Sequence, residues 1–138
     1  MMQLHATAVA FDQKAVVITG PSGAGKSSLA LQMMAYGADL VADDQVILTS
    51  NADGLIASCP DALTGLIEAR HVGILNAVPA AATQVVLAVD LGQTEAERMP
   101  VHRHVIWLDH EIPLLWGIKS PHFAAILLQM LKAGRSLR

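Results

Sequence analysis

Apolar residues along the chain fall into short blocks, most alternating with period two and two of them long enough for helices. Residues 3–11 alternate loosely and read as a strand. Residues 15–19, Ala-Val-Val-Ile-Thr, read as a second strand, turned back on the first by Asp12-Gln13-Lys14. A helix is expected over 27–36, with Gly37 as its cap. Residues 39–42 and 45–49 read as strands flanking Asp43-Asp44. An Asp53-Gly54 turn then leads into a return strand at 55–58, ended by Pro60. The spacing predicts a short helix over 61–67 and strands at 83–90 and 105–108. Between those strands, 92–103 is the most polar stretch, with Glu95, Glu97, Arg98 and Arg103, and reads as a surface loop. Ser120-Pro121 opens a last helix, 121–133, with Gly134 past its end. That helix is apolar nearly all round, so it is expected in the core or in a contact between copies. Two hairpins demand antiparallel pairs, so the fold class is α/β with a mixed sheet, in one domain over residues 1–138.

Composition narrows the picture. Hydrophobic residues make up 53% and charged residues 15%, which implies thorough burial or a subunit interface. No apolar run reaches the roughly 18 residues of a membrane span, and the first residues lack the regions of a signal peptide. The single cysteine, Cys59, leaves no intrachain disulfide to form and suits the cytoplasm. A net charge of −3 points to neither nucleic acid nor a membrane surface.

The strongest chemical signal is Gly20-Pro21-Ser22-Gly23-Ala24-Gly25-Lys26-Ser27, which has the G-x-x-x-x-G-K-S spacing of a phosphate-binding loop. Its glycines let backbone N–H groups turn toward phosphate oxygens. Lys26 can reach the outer phosphates of a nucleotide, and the Ser27 hydroxyl can ligate Mg²⁺. The strand before it and the helix after it are the context the motif needs, so a P-loop nucleoside-triphosphate-binding domain is expected.

Phosphoryl transfer also needs a carboxylate for the metal and, on a hydroxyl acceptor, a group to take the proton; Asp43-Asp44 is the candidate pair, with Asp43 expected among the metal ligands beside Ser27 and Glu68. Asp43-Asp44 follows an apolar strand at its carboxyl end, where ligands sit in open α/β sheets. Neighbouring residues point opposite ways, so one carboxylate faces the phosphates and the other does not. Glu68 and Arg70, two apart, share a face in an extended segment and could hold Mg²⁺ and phosphate; from spacing alone a surface ion pair is the commoner outcome. His5, alone on an apolar strand, reads as a satisfied core residue. His102, His104, His110 and His122 lack metal-ligand spacing, and no zinc site is expected.

Taken in order, His5, the loop 20–27, Leu40-Val41-Ala42-Asp43-Asp44 and the run Leu66-Ile67-Glu68-Ala69-Arg70-His71-Val72-Gly73-Ile74-Leu75-Asn76 resemble the catalytic domain of HPr kinase/phosphorylase, in the short form without the separate N-terminal domain. The resemblance covers most of the chain and weakens after Asn76. It implies a fold like that of phosphoenolpyruvate carboxykinase and an ATP- and Mg²⁺-dependent kinase of a serine on an HPr-type phosphocarrier protein. It also implies a reverse reaction, in which inorganic phosphate attacks phosphoserine and yields pyrophosphate. Asp44, Lys26 and His5 match the family's catalytic positions, and Ser27 and Glu68 its Mg²⁺ ligands. Family members assemble as hexamers, so self-association is expected.

Three departures accompany the resemblance. Val78-Pro79-Ala80-Ala81-Ala82-Thr83-Gln84 carries no arginine where the family's mobile loop has a catalytic one. Lys119-Ser120-Pro121-His122-Phe123 replaces a basic Pro-Gly segment, and His71 stands where the signature has glycine. Two of these touch phosphorolysis, so the kinase half is the firmer expectation, with Arg70, Arg98 or Arg103 able to supply the missing charge. The rival readings are a small-molecule kinase on the same loop and a non-catalytic ATP-binding sensor.

Overall fold

Alternation in the first long strands assigns each side chain to one of two cores. The computed structural model describes residues 1–136. In β2 (Thr7–Phe11) and β3 (Lys14–Thr19), Val9, Val16 and Ile18 face one core, and Ala8, Ala10, Ala15 and Val17 the other. The remaining strands are β1 (Met2–Leu4), β4 (Asp39–Ala42), β5 (Val46–Asn51), β6 (Gly54–Ser58), β7 (Leu66–Ala69), β8 (Gly73–Asn76), β9 (Thr83–Thr94), β10 (Arg103–Trp107) and β11 (His110–Gly117); the helices are α1 (Lys26–Ala35) and α2 (Phe123–Ala133).

The main sheet runs β1-β5-β6-β9-β3-β2-β4, with β11 also paired to β9 and β10 to β11. β3 and β11 lie parallel to β9, whereas β2 is antiparallel to both β3 and β4. Four strands, β3, β4, β9 and β11, therefore run toward the end of the sheet where β2 begins. Both helices cover one face. Leu29 and Met33 of α1 and Leu127 and Leu131 of α2 bury against Val9, Val16, Ile18 and Leu87, each full burial contributing roughly 1.5–3 kcal/mol. Val46, Leu48, Leu55, Trp107 and Ile112 close the other face. Among the described residues, no helix is long and apolar enough to cross a membrane.

The structure departs from the pattern reading at five places. Residues 3–11 are not one strand: the chain bends at His5-Ala6, leaving β5 as the partner of β1 and taking β3 and β4 as partners of β2. The expected helix at 61–67 is a single 3-10 turn, Asp61–Leu63, followed by β7, which pairs with β8 in a separate hairpin. Gly65 ends the turn at φ +69, where an added Cβ would lie 3.0 Å from the Ala77 carbonyl oxygen, and Ile67 alternates into the core. β9 continues to Thr94 because β11 pairs along it; Pro113 inside β11 masks that strand in the sequence. The last helix starts at Phe123, not 121, and exposes Ala125, Ile126, Gln129 and Lys132, so only one face is buried. The arginine-free segment covers the outer edge of β4: Leu40 N–H donates to the Val78 carbonyl at 3.0 Å, and Ala80 N–H to that of Leu40 at 2.7 Å.

Candidate functional site

The loop between β3 and α1 owes its shape to glycine. Gly20 sits at φ +146, and a Cβ there would lie 3.2 Å from the Cβ atoms of Ala24 and Leu91. Gly25 caps α1 at φ +99; among the described residues no side chain caps this helix and no acid occupies its first turn. First-turn N–H groups have no intrahelical acceptor, so this end of α1 suits an anion. Lys26 is only 8% exposed, and its ammonium donates to the carbonyls of Gly20 at 2.8 Å and Pro21 at 3.1 Å.

Asp43, at the carboxyl end of β4, is 7% exposed and held at both oxygens. Its Oδ1 accepts from Thr7 Oγ1 and from Ser27 Oγ, each at 2.8 Å, and its Oδ2 accepts from the backbone N–H of Glu68 at 3.0 Å. Three donors to one buried carboxylate offset the cost of burying its charge. Asp44 turns the other way. Its φ of +72 lies in the left-handed region, unusual outside glycine, and leaves it exposed. His5 Nδ1 lies 3.2 Å from Asp44 Oδ1, and both side chains are about 60% exposed. His5 is thus no core histidine: the bend between β1 and β2 carries it out beside Asp44.

The β7–β8 hairpin forms the opposite wall. Glu68 and Arg70 both line the cavity, which encloses about 190 Å³. The Arg70 guanidinium lies over the loop, within 3.8 to 3.9 Å of where a Gly23 Cβ would stand. Among the residues expected from sequence, His5, Ser22, Gly23, Gly25, Lys26 and Ser27 line this one cavity, as do Asp43, Asp44, Glu68 and Arg70. Gly20, Pro21 and Ala24 shape the loop without lining it. Thr7 and Ser28 also line the cavity and were not expected. A lone hydroxyl in the run Ala6-Thr7-Ala8-Val9-Ala10 was the available clue to Thr7. Arg98 and Arg103 lie elsewhere. Arg103 pairs with Glu95 and stacks 3.5 Å from the ring centre of Trp116, a packing role.

These features define a mixed α/β domain in which a glycine-rich loop opening a helix faces a pair of divergent aspartates. The family model described as HPr Serine kinase C-terminal domain matches residues 1–98, and the chain belongs to that family. It is 50% identical over 62 residues to the HPr kinase/phosphorylase of Bordetella pertussis (strain Tohama I), a stretch covering 44% of this chain and 20% of that protein. With the HPr kinase/phosphorylase of Xanthomonas campestris pv. campestris (strain B100) it shares 43% identity over 74 residues, 53% of this chain and 23% of the relative. The chain therefore spans about a fifth of the length of the curated relatives it matches. The solved structure of the Hpr(Ser) kinase/phosphatase from Coxiella burnetii superposes with a TM-score of 0.79 at 26% identity, covering 96% of this chain and 89% of that one.

Proposed function

We propose that this chain is the catalytic domain of an ATP- and Mg²⁺-dependent protein-serine kinase acting on an HPr-type phosphocarrier protein of the phosphotransferase system. The observation that carries the reading is the divergence of Asp43 and Asp44 beside the glycine-rich loop: one carboxylate is locked to Ser27, the other stands exposed in the cavity beside His5. The reading includes a P-loop fold akin to phosphoenolpyruvate carboxykinase, and a cytoplasmic location.

The residues fit both ligands. ATP phosphates suit the uncapped N-terminus of α1, with Lys26 exchanging its loop carbonyls for phosphate oxygen. Ser27 and Glu68 offer hard oxygen donors for Mg²⁺. Among the described residues no three His, Cys, Asp or Glu side chains gather around one point. A Mg²⁺ ion held by Ser27 and Glu68 would take its remaining ligands from waters and substrate phosphates. The bound ion would offset charge on the phosphates. Asp43 accepts the Ser27 proton and so keeps the Ser27 lone pairs turned away from itself.

Asp44 takes the proton of the acceptor serine as its oxygen bonds to the γ-phosphorus and the bond to the leaving ADP breaks. His5, beside Asp44, holds that carboxylate in place. Arg70 and Lys26 offset the charge spread over the transferring group. The same cavity would admit inorganic phosphate for the reverse attack on phosphoserine. The segment where the family carries its loop arginine has none here, so the forward direction is the firmer part of the reading.

A macromolecular acceptor fits better than a small metabolite. Ile74 lies directly across the hairpin from Glu68 and is 64% exposed, and Val72 at the turn is 76% exposed. This apolar lip beside a polar cavity has no use for a small polar acceptor. The test is incubation with labelled ATP, Mg²⁺ and a purified HPr-type carrier. Label on a carrier serine is expected. Nucleotide binding with no transfer would favour the sensor reading, and turnover requiring a small hydroxyl compound would favour the metabolite kinase.

A further inference from the structure

We infer that Thr7 is a positioning residue, whose hydroxyl orients Asp43 and through it the two oxygen donors, Ser27 and Glu68, offered to the divalent ion. The inference rests on the Mg²⁺–nucleotide reading above. Thr7 opens β2 directly beneath the cavity and is fully buried in an otherwise apolar stretch of alanine and valine. Packing alone would be met by valine, which has nearly the same shape. The hydroxyl instead donates to Asp43 Oδ1 at 2.8 Å, the same oxygen that accepts from Ser27 Oγ at 2.8 Å.

The consequence is geometric. With Oδ1 shared by Thr7 and Ser27, and Oδ2 taken by the Glu68 N–H, the carboxylate is pinned at both ends. Its plane fixes where the Ser27 proton points, and so where the Ser27 lone pairs open toward the cavity. Through the Glu68 N–H the same plane ties the hairpin wall to the loop wall. Without the Thr7 donor, Asp43 can rotate to follow either remaining partner, and the spacing between the Ser27 and Glu68 oxygens is no longer set from inside the sheet. The role inferred for Thr7 is exerted through Asp43, which its hydroxyl contacts, and needs no contact with nucleotide or ion.

The experiment compares Thr7→Val and Thr7→Ser with the wild type. Calorimetry gives the nucleotide dissociation constant with and without Mg²⁺, alongside melting curves and carrier kinetics. In Thr7→Val the strengthening of nucleotide binding by Mg²⁺ is expected to fall about tenfold, and the apparent KM for Mg²⁺ to rise similarly. Binding without metal should hold. Thr7→Ser, which restores the donor, should recover most of the loss. Wild-type Mg²⁺ dependence in Thr7→Val, even with a lowered melting point, would overturn the inference and leave Thr7 a packing residue. If Thr7→Val does not fold, Thr7→Ala, which has no side-chain donor, takes its place, and unaltered Mg²⁺ dependence there overturns the inference equally. A wild type whose nucleotide affinity ignores Mg²⁺ would remove the underlying reading, and this inference with it.

Discussion

The loop wall of the cavity is anchored from inside the sheet, whereas the hairpin wall leans on it from outside. Thr7 opens β2, Asp43 follows β4 and Lys26 begins α1; all three are buried, and their polar atoms are held by named partners. Every residue of β8, by contrast, is exposed, and the hairpin stands as its own two-stranded sheet. Its grip on the body comes from Ile67, buried beside α1, and from the Glu68 N–H on Asp43. A wall with few buried contacts opens at lower free energy than one inside the core. On the proposed function, the donor side is thus preorganised, and the acceptor side can adapt to a partner.

Substitutions can break that contrast. Lys26→Ala strikes the loop wall and should reduce transfer about a thousandfold or more while the fold survives; retained activity would remove the loop from the mechanism. Glu68→Gln, across the cavity, should cost roughly 10–100-fold and be partly rescued by raised Mg²⁺; a loss insensitive to Mg²⁺ would argue against Glu68 as a ligand. At the apolar lip of the hairpin, Val72→Ser with Ile74→Ser should raise the KM for the carrier about tenfold with the KM for ATP unchanged. An unchanged carrier KM would show that the acceptor docks elsewhere. The smallest effect is expected outside both walls: Arg103→Met should cost about 1 kcal/mol of stability, read by denaturant melts, with transfer rates unaltered.

Legibility in the sequence followed how locally each feature is determined. The loop 20–27 could be read because its spacing itself dictates the backbone, and Asp43-Asp44 because an apolar strand precedes it. Which aspartate turns inward was not readable, since that depends on the left-handed conformation of Asp44 and on donors from β2, α1 and β7. His5 followed the commoner pattern of a core histidine until the bend between β1 and β2 exposed it. The first residues of β7 hid behind a helical reading, and its pairing with β8 went unread, because Gly65 and the turn at His71, φ +71, act through backbone conformation rather than apolar spacing. β11 was obscured by Pro113 and by a parallel pairing with β9 that no local signal announces. Among the residues beyond the family match, β10, β11 and α2 complete the two cores yet line no part of the cavity, so fold and chemistry are divided along the chain.

Asp44 is where the account is most exposed to test. In Asp44→Asn the carboxylate proposed to take the serine proton is lost, while the loop, Ser27 and Asp43 are untouched. Transfer of label from ATP to the carrier serine should fall by about 10²–10⁴-fold, with Mg²⁺–nucleotide affinity measured on the same sample equal to that of the wild type. Transfer at the wild-type rate in Asp44→Asn would contradict the division of labour between the two aspartates.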